Sequence, residues 1–182
     1  MKKIAILSFI LLSFLISTSI AQDVKSKDDK TKIKDKGDKM GAMPTGNFKP
    51  TYSSNFQIGN PSYVQKIMDV WQDWDDNMLD RHDYMADTIT MYFSDGNSMK
   101  GKAENYAAAK KYRGSFSSVK TILHAVVPLR SNDLNEDIVA VWGQEINTHA
   151  DGKVEKKNLH EAWFFNKDGK IATMRQWTGE VK

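Results

Sequence analysis

Two Asp-Gly steps divide the last third of this chain into strands. Asp151-Gly152 and Asp168-Gly169 are hairpin signals, because glycine takes the positive φ that a tight turn between twisted strands requires. Around them run β-rich segments, Phe116 to Leu129, Ile138 to Thr148, Val154 to Phe165 and Ile171 to Thr178. The second of these alternates. Ile138, Ala140, Trp142, Gln144 and Ile146 fall on one face, and Val139, Val141, Gly143 and Glu145 on the other. Strands joined mostly by hairpins make an antiparallel sheet, and whatever precedes them must cover its apolar face.

The preceding sequence supplies helices. Asn60 is an N-cap residue with Pro61 at the first helical position. Val64, Ile67, Met68, Trp71, Trp74 and Met78 recur at helical spacing and predict a helix over 61–78. A short second helix is expected over Asp80 to Ala86, then a strand over Asp87 to Phe93 and a turn at Ser94 to Asn97. The Ala-rich run Lys102 to Arg113 predicts a third helix, ended by Gly114. The expected fold is α+β, with the helices packed on one face of a curved antiparallel sheet.

Residues 1–21 read as a cleavable secretory signal peptide. Lys2 and Lys3 give the charged start, Ile4 to Ile16 the apolar run, and Ser19 and Ala21 the two small residues that a signal peptidase reads. The run is shorter than the roughly 18–20 residues a bilayer span needs. Export to the periplasm or the medium is therefore expected, with no membrane span after cleavage. Residues 22–59 read as a charged, largely disordered spacer, since interleaved Lys and Asp bury too little to offset their ordering entropy. Phe48, Tyr52, Phe56 and Ile58, at its end, are candidates to lie along the domain. The folded domain is expected over 60–182.

The chain has 182 residues, a formal charge of +3 and no cysteine, which excludes disulfides, thiol nucleophiles and cysteine-bound zinc. Its basic residues sit in a mixed-charge tail without an arginine stripe, which argues against nucleic acid. The four histidines lack zinc-site spacing, and there is no phosphate loop or nucleophile elbow. No metal and no cofactor are expected.

The element order, the closing segment HEAWFFNKDGKIATMRQWTGE and the shorter run Tyr84-Met85-Ala86-Asp87-Thr88 resemble the nuclear transport factor 2-like superfamily. That superfamily includes SnoaL-like proteins and ketosteroid isomerases, and the likeness covers roughly residues 60–180. It implies an α+β cone in which a curved antiparallel sheet is wrapped around a long N-terminal helix, with two further short helices, and leaves a pocket at its open end. It does not imply an activity, because the fold hosts isomerases, dehydratases, cyclases, hydrolases and non-catalytic binding or association domains.

Hairpin arithmetic leaves the pocket's walls open to two readings. A two-residue turn at Asp151-Gly152 sets Trp142 opposite Glu161, whereas a bulged three-residue loop sets Val141 there. A two-residue turn at Asp168-Gly169 sets Glu161 opposite Gln176 and Trp163 opposite Met174, whereas a bulged turn sets Glu161 opposite Arg175. The resemblance to ketosteroid isomerases favours the first form of each, since Glu161 then falls where that family has an inward carboxylic acid and Met174 where it has an inward methionine. Trp142, Gln144, Glu161, Trp163, Met174 and Gln176 are then expected inward, with Met68, Trp71 and Tyr92 completing a ligand-binding wall. His160, Arg175 and Trp177 are expected on the outer face or at a dimer contact.

The same resemblance puts Tyr92 at the isomerase base and Met68 at its hydrogen-bonding tyrosine. Methionine cannot donate a hydrogen bond, and tyrosine, with a reference pKa of about 10, is a poor base near neutral pH. No ketosteroid isomerase activity is expected. The catalytic candidates are Glu161, His124, His82 and Tyr92. His82 beside Asp83 suits a general acid–base pair, or simply an exposed polar turn. Glu161 is either a buried carboxyl that serves as acid, base or anchor, or a structural ion paired with Arg175. The leading expectation is an exported domain that binds a small, mainly apolar organic ligand, with Glu161 and Gln144 as polar anchors. The alternatives are a homodimeric association domain filled by its own aromatics, and a His/Glu acid–base enzyme.

Overall fold

The computed structural model describes residues 45–181. The expected signal peptide and the charged part of the spacer, residues 22–44, lie outside them. Strand β1 spans Phe56–Ile58, helix α1 Ser62–Asp75, β2 Met85–Tyr92, β3 Ser98–Lys100 and α2 Lys102–Arg113. Strands β4 (Phe116–Ser131), β5 (Glu136–His149), β6 (Val154–Phe165) and β7 (Ile171–Glu180) follow. They form one seven-stranded sheet in the order β1-β4-β5-β6-β7-β2-β3. Every neighbouring pair is antiparallel except β2 and β7, which are parallel, so the sheet is mixed rather than wholly antiparallel.

The fold takes in residues ahead of Asn60. Phe56 pairs with Ser131 and Ile58 with Leu129 at the sheet edge. The Asp133 carboxylate accepts the backbone N–H of Ser54 and of Asn55. Helix α1 starts as its capping signal predicts, with Asn60 Oδ1 accepting the Ser62 N–H at 2.9 Å. It stops at Asp75, short of the expected Met78. Asn77 takes a positive φ of 58°, and the freed carbonyls of Trp74 and Asp75 accept Nε and Nη2 of Arg113 from α2.

The helix expected over Asp80 to Ala86 is absent, and two helices are described, not three. Side chains and carbonyls of this segment are committed elsewhere. His82 bonds to Asp73, Lys170 bonds to Asp83, and the Tyr84 carbonyl accepts the Ile171 N–H. Those ties hold the chain extended into β2. The third expected helix matches α2 in both bounds, with Gly114 directly after it.

The core lies between α1 and the inner face of the sheet. Ile67 and Trp71 of α1 pack on Val139, Val141, Leu159, Trp163, Phe165, Ile171 and Met174. Bulges between Leu123 and Ala125 in β4, and between Phe164 and Phe165 on the β6–β7 ladder, bend the long strands. Among the described residues, no helix is long and apolar enough to cross a membrane.

Candidate functional site

The two hairpins decide which side chains face α1. At β5–β6, Val141 pairs with Glu161 and Trp142 with His160, which is the bulged reading. The Gly152 N–H bonds to the His149 carbonyl and the His149 N–H to Lys153. Trp142 and Gln144 are therefore outward, a correction to the expected pocket. Trp142 is 38% exposed and stacks on His160 at 4.8 Å, and Gln144 bonds Asn158. Val141, Gly143 and Glu145 take their places inside. The reason is steric: a Cβ on Gly143 would lie 2.7 Å from Trp71 Cη2 and 2.7 Å from the Ile122 carbonyl oxygen. Only the row with glycine leaves room for the helix tryptophan.

At β6–β7 both readings hold in part. The turn is the bulged type, with the Gly169 N–H on the Asn166 carbonyl and the Asn166 N–H on Lys170. Phe165 pairs with Ile171, but Phe164 pairs with Thr173, so Ala172 is skipped. This second irregularity restores the register. Glu161 faces Gln176 and Trp163 faces Met174, as expected. Arg175 is exposed and lies over the Tyr92 ring at 5.2 Å, away from Glu161.

Between α1, α2 and the inner face lies a cavity of about 550 Å3. Trp71, Glu161, Trp163, Met174 and Gln176 line it, as the sequence predicts. Met68 does not; it packs against the core beside it. Tyr92 does not either. It is 43% exposed, and Met91, paired with Met99 and Met174, points inward in its place. His124 is exposed at the β4 bulge and lines no part of the cavity.

Glu161 is 4% exposed. Its Oε2 accepts the indole N–H of Trp71 at 2.9 Å and of Trp163 at 3.0 Å, and its Oε1 accepts Gln176 Nε2 at 2.8 Å. Burial raises its pKa above the ordinary carboxylate value, against the pull of the Gln176, Trp71 and Trp163 donors, and the nearby Glu145 raises it further. No cationic side chain among the described residues offsets this charge, which removes the reading of Glu161 as an ion paired with Arg175. Indoles only donate, so a proton on Glu161 belongs on Oε1, where a flipped Gln176 amide accepts it. The carboxyl can thus hold or release a proton without losing its partners.

Three features of the cavity were not read from the sequence. His82 lines it, but its partner is Asp73, not Asp83: Nδ1 lies 2.8 Å from Asp73 Oδ2, and Asp73 is 3% exposed. Asp83 instead meets Lys102 and Lys170. With Nδ1 bound to the carboxylate, Nε2 is the basic nitrogen of the ring. Tyr84 stacks on the imidazole at 5.2 Å and 11°. The second feature is Glu145, 8% exposed, whose oxygens accept Trp74 Nε1 at 2.7 Å and Asn147 Nδ2 at 2.6 Å. The third is Asn105 on α2, 3% exposed, whose Nδ2 donates to the Met99 and Gly101 carbonyls while Oδ1 has no partner. The signal for Asp73 and Glu145 is acidic residues on rows that are otherwise apolar. Nothing in the local sequence marks Asn105.

No protein-family model matches the chain, and no curated protein matches it. Solved structures do. A Jannaschia protein assigned provisionally as a SnoaL-like polyketide cyclase aligns with a TM-score of 0.54 at 12% identity, over 73% of this chain and 91% of its own. A nuclear transport factor 2-like protein of unknown function from Burkholderia pseudomallei aligns at 0.53 and 14% identity, over 64% and 90%. Another from Exiguobacterium aligns at 0.51 and 16%, over 65% and 99%. The chain has the nuclear transport factor 2-like fold. At these identities the likeness extends to the fold and not to the chemistry. The nuclear transport factor 2-like frame explains why a helix, a bent sheet and a cavity occur together.

Proposed function

We propose that this chain binds a small, mainly apolar organic molecule in the cavity of its cone, with Glu161 and Gln176 as the polar anchor. The observation that carries this is a cavity of about 550 Å3 with Trp71, Trp163, Met91 and Met174 in its walls and an uncompensated carboxyl inside. That size and mixture, a mostly apolar lining with few polar groups, is typical of small-molecule sites. An association domain filled by its own aromatics would have a collapsed interior. The expected export places the ligand outside the cytoplasm, and the exposed row Trp142, His160 and Trp177 supports a homodimer through the outer face.

Native mass spectrometry of protein purified from its own host tests both parts. A stoichiometric small-molecule adduct is expected, on a dimer. Protein that is empty in every preparation and shows no thermal shift with apolar probes would sink the binding reading.

A second reading has its own observation. The Asp73–His82 pair and Glu161 line one cavity, and a carboxylate-oriented imidazole in the same cavity as a carboxyl of raised pKa is equipment for acid–base chemistry. Under this reading, His82→Gln abolishes turnover of the retained molecule and leaves its binding intact. Loss of binding in the same variant would make His82 a wall residue only.

A further inference from the structure

Free donors of the cavity, the Tyr112 hydroxyl hydrogen and the Lys157 ammonium, stand beside Glu145, and a further carboxyl of the lining, Glu161, has no such neighbour. Glu161 is nine-tenths buried or more, carries no cationic partner, and has three donors for the four lone-pair positions of a carboxylate. Asn105 lines the same space, and its buried Oδ1 accepts nothing. Glu145 and Asp73 add two more buried carboxylates to the lining. On the other side stand Lys157, whose Nζ is turned to the Tyr112 hydroxyl at 2.8 Å, and Arg81, 3.3 Å from Asp73. Neither meets Glu161. The Glu161 end of the cavity therefore carries an acid without a counter-charge, walled by the indoles of Trp71 and Trp163. Four methionines, Met85, Met91, Met99 and Met174, supply a polarisable apolar lining.

We infer that the ligand of this cavity is an apolar organic amine, bound as its ammonium with the charged head on Glu161 and the carbon tail against the methionines. This rests on the binding reading above and names the ligand class for the same site. An ammonium supplies a donor for the open lone pair of Glu161 and, as the carboxyl gives up its proton, the counter-charge that the protein leaves out. A carboxylic acid ligand would set like charges together. An alcohol would satisfy one acceptor and leave the charge.

Three probes with one tail and different heads decide this: octylamine, octanol and octanoate, titrated into the purified protein at about pH 8 by calorimetry and by tryptophan fluorescence. Octylamine is expected to bind about tenfold more tightly than octanol, the gain of a charge-assisted over a neutral hydrogen bond, and octanoate least. Glu161→Gln can keep the local bonds, its amide oxygen taking both indoles and its amide nitrogen a flipped Gln176, and it is expected to erase the preference for amine while octanol still binds. Octanol or octanoate binding as tightly as octylamine to the unaltered protein overturns the amine inference and leaves the binding reading standing. Failure of all three probes to bind overturns both. The comparison of heads on the unaltered protein decides even where the variant does not fold.

Discussion

Glu161 and Glu145 are two buried carboxylates built from the same parts and set in different electrical surroundings. Each accepts at least one indole N–H and one carboxamide N–H. Beside Glu145 stands Lys157. Burial works against that ammonium, but the Tyr112 oxygen, Glu145 and Glu155 outweigh it and raise its pKa. Beside Glu161 stands no cation among the described residues. Hydrogen bonds fix where a carboxylate points; a counter-charge decides whether it is at rest. Glu145 reads as framework, and Glu161 as the group with something left to bind.

The comparison breaks first at the tryptophans. Trp163 is 4% exposed, and Trp163→Ala removes a core ring together with a donor to Glu161, so a loss of about 3–5 kcal/mol is expected in urea denaturation. Trp74→Ala, at the Glu145 end, removes a half-buried ring stacked on Tyr112 and is expected to cost clearly less. Equal costs would mean that both carboxylates are framework. Next comes Gly143→Ala. Its new methyl must displace the Trp71 ring or the Ile122 backbone, at a cost of about 1–3 kcal/mol, and the tryptophan fluorescence should shift as Trp71 leaves Glu161. An unchanged denaturation midpoint would show that the ring moves aside freely.

The smallest effect is the most specific. The folded pKa of Glu161 lies above its unfolded value, so the folded state binds the proton more tightly. Its contribution to stability is complete below the unfolded pKa and is lost as the pH rises through the folded one. Melting temperature measured against pH should therefore fall over that window in the unaltered protein. Glu161→Gln should remove the fall, and Glu145→Gln, which takes away only one of the causes that raise the Glu161 pKa, should lessen it. A slope that survives Glu161→Gln would assign the titration to another group.

Much of the frame was legible in the sequence. The Asn60-Pro61 start of α1, the whole of α2 and the four long strands follow from capping, composition and alternation. The missing helix at Asp80 to Ala86 was not legible, because bonds to Asp73, Lys170 and Ile171, distant in sequence or around a corner, override local preference there. The site divided along the same line. Glu161, Trp163, Met174 and Gln176 came out on the correct face, and Trp142 and Gln144 did not. Both rows of β5 alternate equally well, and what separates them is the clash that any side chain at position 143 would make with Trp71, seventy-odd residues away. The sizes of side chains on the two rows were visible; the ring that makes size matter was not. Tyr92 failed for a similar reason, since an ungapped likeness carries no account of a strand that slips between Met85 and Thr90 against its neighbour.

Ala172 has a part in this out of proportion to its size. It is skipped by the ladder between Phe165–Ile171 and Phe164–Thr173. Were it to join, each later residue of β7 would move by one place, and Arg175 would stand opposite Glu161 in place of Gln176. The cavity would then neutralise itself and close to a cation. Removing Ala172 altogether has the opposite consequence: Thr173 follows Ile171, Phe164 still meets Thr173, and the amide keeps its post. A single small residue without a chemical group of its own thus works as a selector between a site that is vacant for charge and one that is already filled.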